Sequence, residues 1–221
     1  MQRARPYKAT PFKRPRPSLK LARTQTFNLA RKQTASPGFW SMRGSSFEKK
    51  FVDTNVNTDV TTTATITPIN LLATGTDANN RVGRKIELKS VQVRSFFSLE
   101  ANSINGIRCM LVYDRQPNGA APVIGDILAT ASVTGLLNMD NRDRFLILYD
   151  EEIAMDAAQA QCMFNKVYKK LKLETVYNST TTATASAVAS GMLLYVTIGS
   201  TAAGSSDVDQ DTNIRVRFID G

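Results

Sequence analysis

The positive charge of this chain is gathered at one end. Its first 43 residues carry eleven Lys/Arg side chains and no Asp or Glu, while the rest carries seventeen basic against nineteen acidic groups. The formal charge of +9 is therefore +11 in a tail and −2 in a body. Five of the eight prolines (Pro6, Pro11, Pro15, Pro17 and Pro37) lie in the same tail, which shows no sustained hydrophobic period. Such a segment cannot bury enough apolar surface to offset its chain entropy. The expectation is a disordered basic arm over residues 1–46 and one folded domain over 47–221, long enough for a full core.

The body reads as all-β. Residues 51–69 alternate, with Val52, Val56, Val60 and Ile66 against Asp53, Asn55, Asn57, Asp59 and threonines, which predicts one long half-buried strand. In Ile86–Glu100 the apolar parity changes: Ile86 and Leu88 precede Val91, Val93, Phe97 and Leu99. One extra residue at Lys89-Ser90 restores a single buried face, so a β-bulge is predicted there. Ile107–Tyr113 is a mostly apolar strand, and 123–130 suits a short helix. The run Phe145-Leu146-Ile147-Leu148-Tyr149 suggests burial on both faces. Strands over 162–177, Val188–Ile198 and Asn213–Ile219 follow, with a small-residue connection at 180–187. Many strands, long connections and hardly any helix imply a two-sheet sandwich. Eight strands in double Greek-key order make a jelly roll, used by capsid and lectin domains alike, but strand pattern alone leaves the order open.

Several function classes drop out. The chain has no histidine, which removes His-based triads, imidazole bases and most zinc and copper sites. Its two cysteines, Cys109 and Cys162, sit in predicted strands and read as buried free thiols. Asn79–Lys85 has one glycine and no phosphate-loop spacing. No apolar run is long enough to span a membrane, so no membrane insertion is expected. The basic N-terminus lacks the apolar core of a secretory signal.

What remains is charge chemistry. Arg3, Arg5, Lys8, Lys13, Arg14, Arg16, Lys20, Arg23, Arg31, Lys32 and Arg43 are candidates for phosphate contact without base readout. Tyr7, Phe12, Phe27, Phe39 and Trp40 are interleaved and suit stacking on unpaired bases, or, near the body, anchoring of the arm. Lys13, Arg14, Pro15 and Arg16 form a compact cluster of the kind read by a nuclear import receptor. Lys166, Lys169, Lys170 and Lys172, with Arg215 and Arg217 on one face of the last strand, make a second basic patch. It either faces nucleic acid or pairs with acids on a neighbour. Asp150, Glu151, Glu152 and Asp156 are either structural Ca²⁺ ligands between subunits or a solvated acidic loop. No catalytic residue, resident metal or cofactor is assigned.

Two stretches carry a resemblance. Arg81-Val82-Gly83-Arg84-Lys85-Ile86-Glu87-Leu88-Lys89-Ser90-Val91 resembles the Arg-x-Gly-x-x-basic segment entering an early jelly-roll strand of geminivirus-like coat proteins. Ile107–Ala120, with its Val-Tyr-Asp-basic-Gln-Pro-Asn-Gly core, is similar to a recurrent feature of these coats and of relatives with satellite-tobacco-necrosis-virus-like shells. The resemblance covers residues 48–221 in organisation. It implies an eight-stranded jelly-roll β-sandwich, a capsid protein of a small circular single-stranded DNA virus, and a T=1 icosahedral homo-oligomer of about sixty copies. It also implies single-stranded DNA as the packaged genome, and the virion and host nucleus as locations. About sixty arms at +11 supply roughly 660 charges, on the order of what one to two thousand nucleotides require. Two other readings stay open: a non-capsid viral nucleic-acid-binding protein of movement or silencing-suppressor type, and a jelly-roll enzyme or lectin with an incidental tail.

Overall fold

The computed structural model describes residues 49–100, 103–159, 161–202 and 208–220. The predicted arm, all eleven of its cations, the import cluster and the boundary at 46/47 lie outside the described residues. The strands are β1 (Lys49–Val60), β2 (Thr65–Pro68), β3 (Lys85–Leu99), β4 (Ile104–Asp114), β5 (Phe145–Asp156), β6 (Cys162–Tyr177), β7 (Val188–Ser190), β8 (Met192–Gly199) and β9 (Val208–Asp220). A one-turn helix, α1 (Ile124–Ile127), sits in the connection between β4 and β5.

The strands form two sheets, in the orders β1-β9-β3-β6-β7 and β2-β8-β4-β5. All named pairings are antiparallel and nested: β1 with β9, β2 with β8, β3 with β6, β4 with β5. A long hairpin rolled into two layers produces this order. It is the eight-stranded jelly roll, with the three-residue β7 added at one edge.

The predicted bulge is present. The register of β3 shifts between Leu88 and Ser90 against both β6 and β9. Ile86, Leu88, Val91, Val93, Phe97 and Leu99 are thereby all buried.

Three strand readings need correction. Residues 51–69 are two strands in different sheets, since the chain leaves β1 at Val60 and enters β2 at Thr65. At this corner the Thr62 amide donates to the Thr201 carbonyl, and the Gly199 amide to that of Thr61. Residues 188–198 likewise split into β7 and β8 at Gly191, whose φ is +77°. A Cβ at Gly191 would lie 2.2 Å from the Glu174 carbonyl oxygen, so glycine is required by both conformation and space. The run 145–149 is only partly buried beyond Phe145, because β5 is a sheet edge.

Burial on both faces belongs instead to β4 and β8. Tyr113 reaches inward, its hydroxyl donating to the Glu174 carbonyl on the opposite sheet. Met110, Val112, Leu194 and Val196 alternate with the inward residues and are nonetheless fully buried. The 115–144 connection folds over them, placing Ile127 and Leu128 in the same core. Arg108 fastens it, donating Nη1 to the Val133 carbonyl at 3.0 Å and to that of Gly135, while gripping Asp150 through Nε and Nη2 at 2.7 Å each.

The stretches that carried the resemblance are structural. Asp114, fully buried, accepts two bonds from Arg144 at 2.9 and 2.8 Å and one from the Gln116 amide. This ties the two ends of the long connection together. The Pro117–Gly119 turn follows, with Asn118 at φ 44°. Arg81, 1 % exposed, spreads its guanidinium over the Leu72, Gly83 and Thr180 carbonyls and stacks on Tyr177.

Candidate nucleic-acid interface

In the five-stranded sheet every second residue of β9 is buried, so Asp209, Asp211, Asn213, Arg215 and Arg217 stand on its outer face. The register places β3 and β6 residues in rows with them. Asn213 lies opposite Arg94, and Arg94 opposite Lys166. Asp211, Phe96 and Phe164 form the next row, and Arg215, Gln92 and Tyr168 the row on the other side. At the bulge, Ser90 is flanked by Arg217 and Lys170.

This face combines cations and rings. Phe164 is 77 % exposed and Tyr168 53 %, and the Phe96 and Phe164 rings pack at 4.9 Å between centroids. An open cleft of about 440 Å³ is lined by Arg94, Phe96, Phe164, Lys166, Asp211 and Asn213. Arg94, Lys166, Lys170, Lys172 and Arg217 have no ion-pair partner among the described residues, whereas Lys85 pairs with Glu174 at 2.8 Å and Lys89 with Glu87 at 2.5 Å. Unpaired cations beside exposed aromatic faces suit a phosphate backbone whose bases are unstacked.

Two members of the predicted basic patch have other roles. Arg215 grips Asp53 through two bonds of 2.7 and 2.6 Å and lies over the Phe51 ring. That guanidinium holds the Asp53 carboxyl below its ordinary value, against a smaller opposing effect of burial. Lys169 shares parity with the inward Val167, and its ammonium lies 5.8 Å from the Tyr149 ring centroid, off the sheet face. Arg94 and the exposed aromatics were missed from sequence. Arg94 is the one charged residue between Lys89 and Glu100, and only the cross-strand register joins it to Lys166.

Within one subunit the predicted acidic cluster does not gather into a cation site among the described residues. Asp150, Glu151, Glu152 and Asp156 belong to β5 rather than to a loop, so alternation sends neighbours to opposite faces. Asp150 is taken by Arg108, Glu151 accepts from Asn165 at 2.9 Å, and Asp156 accepts from the Ala158 amide. No group of three or more acids or thiols able to hold a metal ion occurs among the described residues. Both cysteines are free; Cys109 is buried, but Cys162, at an outward position of β6, is exposed rather than buried.

Strand order defines a jelly-roll protein, and one of its sheet faces carries cations and exposed rings. The chain belongs to the geminivirus coat protein/nuclear export factor BR1 family, whose model matches residues 2–221. It is accordingly a capsid protein, a structural component of a virion whose copies assemble with one another. No curated protein matches the chain. Similar solved structures include that of infectious bursal disease virus strain Gx, at 6 % identity and a TM-score of 0.27 over 79 % of this chain. The match spans 33 % of that longer chain. Another is VP1 of the Trichodysplasia spinulosa-associated polyomavirus in complex with sialylated glycooligomers, at 8 % identity and a TM-score of 0.23, covering 80 % of this chain and 97 % of that one. Likenesses this slight assign no assembly or ligand to the present chain.

Proposed function

We propose that the chain closes a T=1 icosahedral shell of about sixty copies and packages a single-stranded DNA genome through its basic arm. The observation that carries this reading is where the unpaired cations stand. Some acids of the body are engaged by local cations, as Asp114, Asp150 and Asp53 are. Five cations on one sheet face are left without acid partners among the described residues, and the sequence adds eleven more before residue 44. Such a surplus neutralises a polyanion. Counterion release then makes the affinity high and insensitive to sequence.

In this function Arg3, Arg5, Lys8, Lys13, Arg14, Arg16, Lys20, Arg23, Arg31, Lys32 and Arg43 contact phosphates. Arg94, Lys166, Lys170, Lys172 and Arg217 extend the contact onto the sheet. Lys13, Arg14, Pro15 and Arg16 engage a host nuclear import receptor and bring the protein to the nucleus.

Deletion of residues 1–43 tests the packaging role. The truncated protein is expected to form particles with little nucleic acid, read as a fall in the 260/280 nm absorbance ratio across the particle peak. Particles that retain the full nucleic-acid content would refute the role of the arm.

A further inference from the structure

We propose that the open side of the sandwich, between the edges of β5 and β6, is a two-fold contact with a second copy of this chain. The contact rests on the capsid-protein reading.

Both strands are edges. β5 ends the four-stranded sheet, and β7 covers β6 only at Val176 and Tyr177. Between them runs a groove of about 510 Å³, lined by Tyr149, Glu151, Met163, Phe164, Asn165 and Lys169 among others. Its two lips carry opposite charge, Glu151 on β5 and Lys169 on β6. Within the subunit these two make no ion pair. Glu151 accepts from Asn165, whose amide also donates to the Tyr149 hydroxyl at 3.0 Å, and Lys169 lies over the Tyr149 ring. Apolar surface stands at the same place, with Met163 40 % exposed.

A half-turn about an axis through the groove interchanges the lips. Glu151 of one copy then meets Lys169 of the other, and the same pair forms a second time. Met163 of each copy is covered by its partner. A second copy is the occupant whose charges are this pattern reversed. A polyanion is disfavoured by Glu151, and the unpaired edges of both strands are covered, as assembled sheet proteins require.

The test uses charge reversal in the full chain, read by sedimentation velocity, with circular dichroism to verify folding. Lys169→Glu places acid against acid twice, and Glu151→Lys places base against base twice. Each variant alone is expected to associate about tenfold or more weakly than wild type. Mixing the two restores association, because each supplies the lip that the other lacks. A mixture no better than its components, or variants that associate like wild type, overturns the proposal.

A second measurement avoids charge reversal. In a Cys162→Ser background, chains with Glu151→Cys are mixed with chains with Lys169→Cys and treated with a short bismaleimide. Cross-linked pairs are expected in the mixture and not in either variant alone, and their absence overturns the contact. A wild-type chain that stays monomeric defeats the assembly reading and this contact together. A wild type that associates beside an unrescued mixture defeats the contact alone.

Discussion

Arg81 looks, in sequence, like one more cation of a nucleic-acid-binding protein, and its burial predicts a different phenotype. Its Nε, Nη1 and Nη2 donate to the carbonyls of Leu72, Gly83 and Thr180 at 3.3, 2.9 and 2.6 Å, and its plane lies 4.4 Å from the Tyr177 ring centroid. These contacts join the loop before β3 to the 178–187 connection. Truncation to alanine leaves three carbonyls without donors and a void beside Tyr177. A hydrogen bond from a charged donor contributes about 1.5–3 kcal/mol. Since the contacts act as one unit and relax together, the expected loss is about 4 kcal/mol rather than their sum. Arg81→Lys keeps the charge but cannot span three acceptors, and is expected to lose about half as much. Urea denaturation followed by far-UV circular dichroism measures both, and a thermal midpoint lower by about 10 °C should accompany the alanine variant. Nucleic-acid affinity of the folded fraction should keep its wild-type salt slope. An alanine variant within about 1 kcal/mol of wild type, or a slope reduced by about one, would show that Arg81 contacts phosphate instead.

Other substitutions probe the remaining parts. Gly191→Ala is expected to destabilise the fold by about 3 kcal/mol, because it combines a positive φ with a Cβ overlapping the Glu174 carbonyl; an unchanged urea midpoint would contradict this. Asp53→Asn releases Arg215 onto the sheet face, so the slope of log affinity against log salt should steepen by about one, and an unchanged slope would remove that face from the interface. At neutral pH Cys162 should react with a thiol reagent and Cys109 only after unfolding, as peptide mapping of the labelled protein will show. Burial pushes the Cys109 thiol up from 9.0 to about 12, and burial likewise raises Tyr113, Tyr177 and Tyr195 above their ordinary values. A raised folded value favours the protonated, folded form. The Cys109 contribution is therefore complete below pH 9 and lost as pH climbs from there towards 12, and a urea midpoint flat across that window would contradict it.

Period-2 alternation made the strands legible, and it carries no record of which sheet a strand joins. Val52, Val56, Val60 and Ile66 keep one alternating parity while the chain crosses from one layer to the other between Val60 and Thr65. Residues 188–198 hide the same crossing at Gly191. Local chemistry was readable where it broke the pattern. The parity change at Lys89-Ser90 located the bulge, because a buried face cannot tolerate a one-residue slip. Burial of β4 and β8 on both faces was less legible. It depends on the 115–144 connection folding back, which Arg108 brings about by gripping carbonyls 25 and 27 residues further along.

Charge was legible in amount but not in allocation. The same basic residue types serve three ends, and register and burial decide which. Arg81, Arg108 and Arg144 are internal ties; Arg215 is neutralised across the sheet by Asp53. Arg94, Lys166, Lys170, Lys172 and Arg217 are left on one face. Lys169 is adjacent to Lys170 in sequence and yet belongs to the groove, since one step along a strand reverses the side chain's direction. The near-neutral sum of the body is thus a balance of paired internal charges and separated surface charges. A coat subunit needs that separation. Like-charged outer surfaces would repel when copies pack side by side. A cationic sheet face beside a groove with one acidic and one basic lip is the arrangement that the two proposed contacts, with a polyanion and with a second copy, both require.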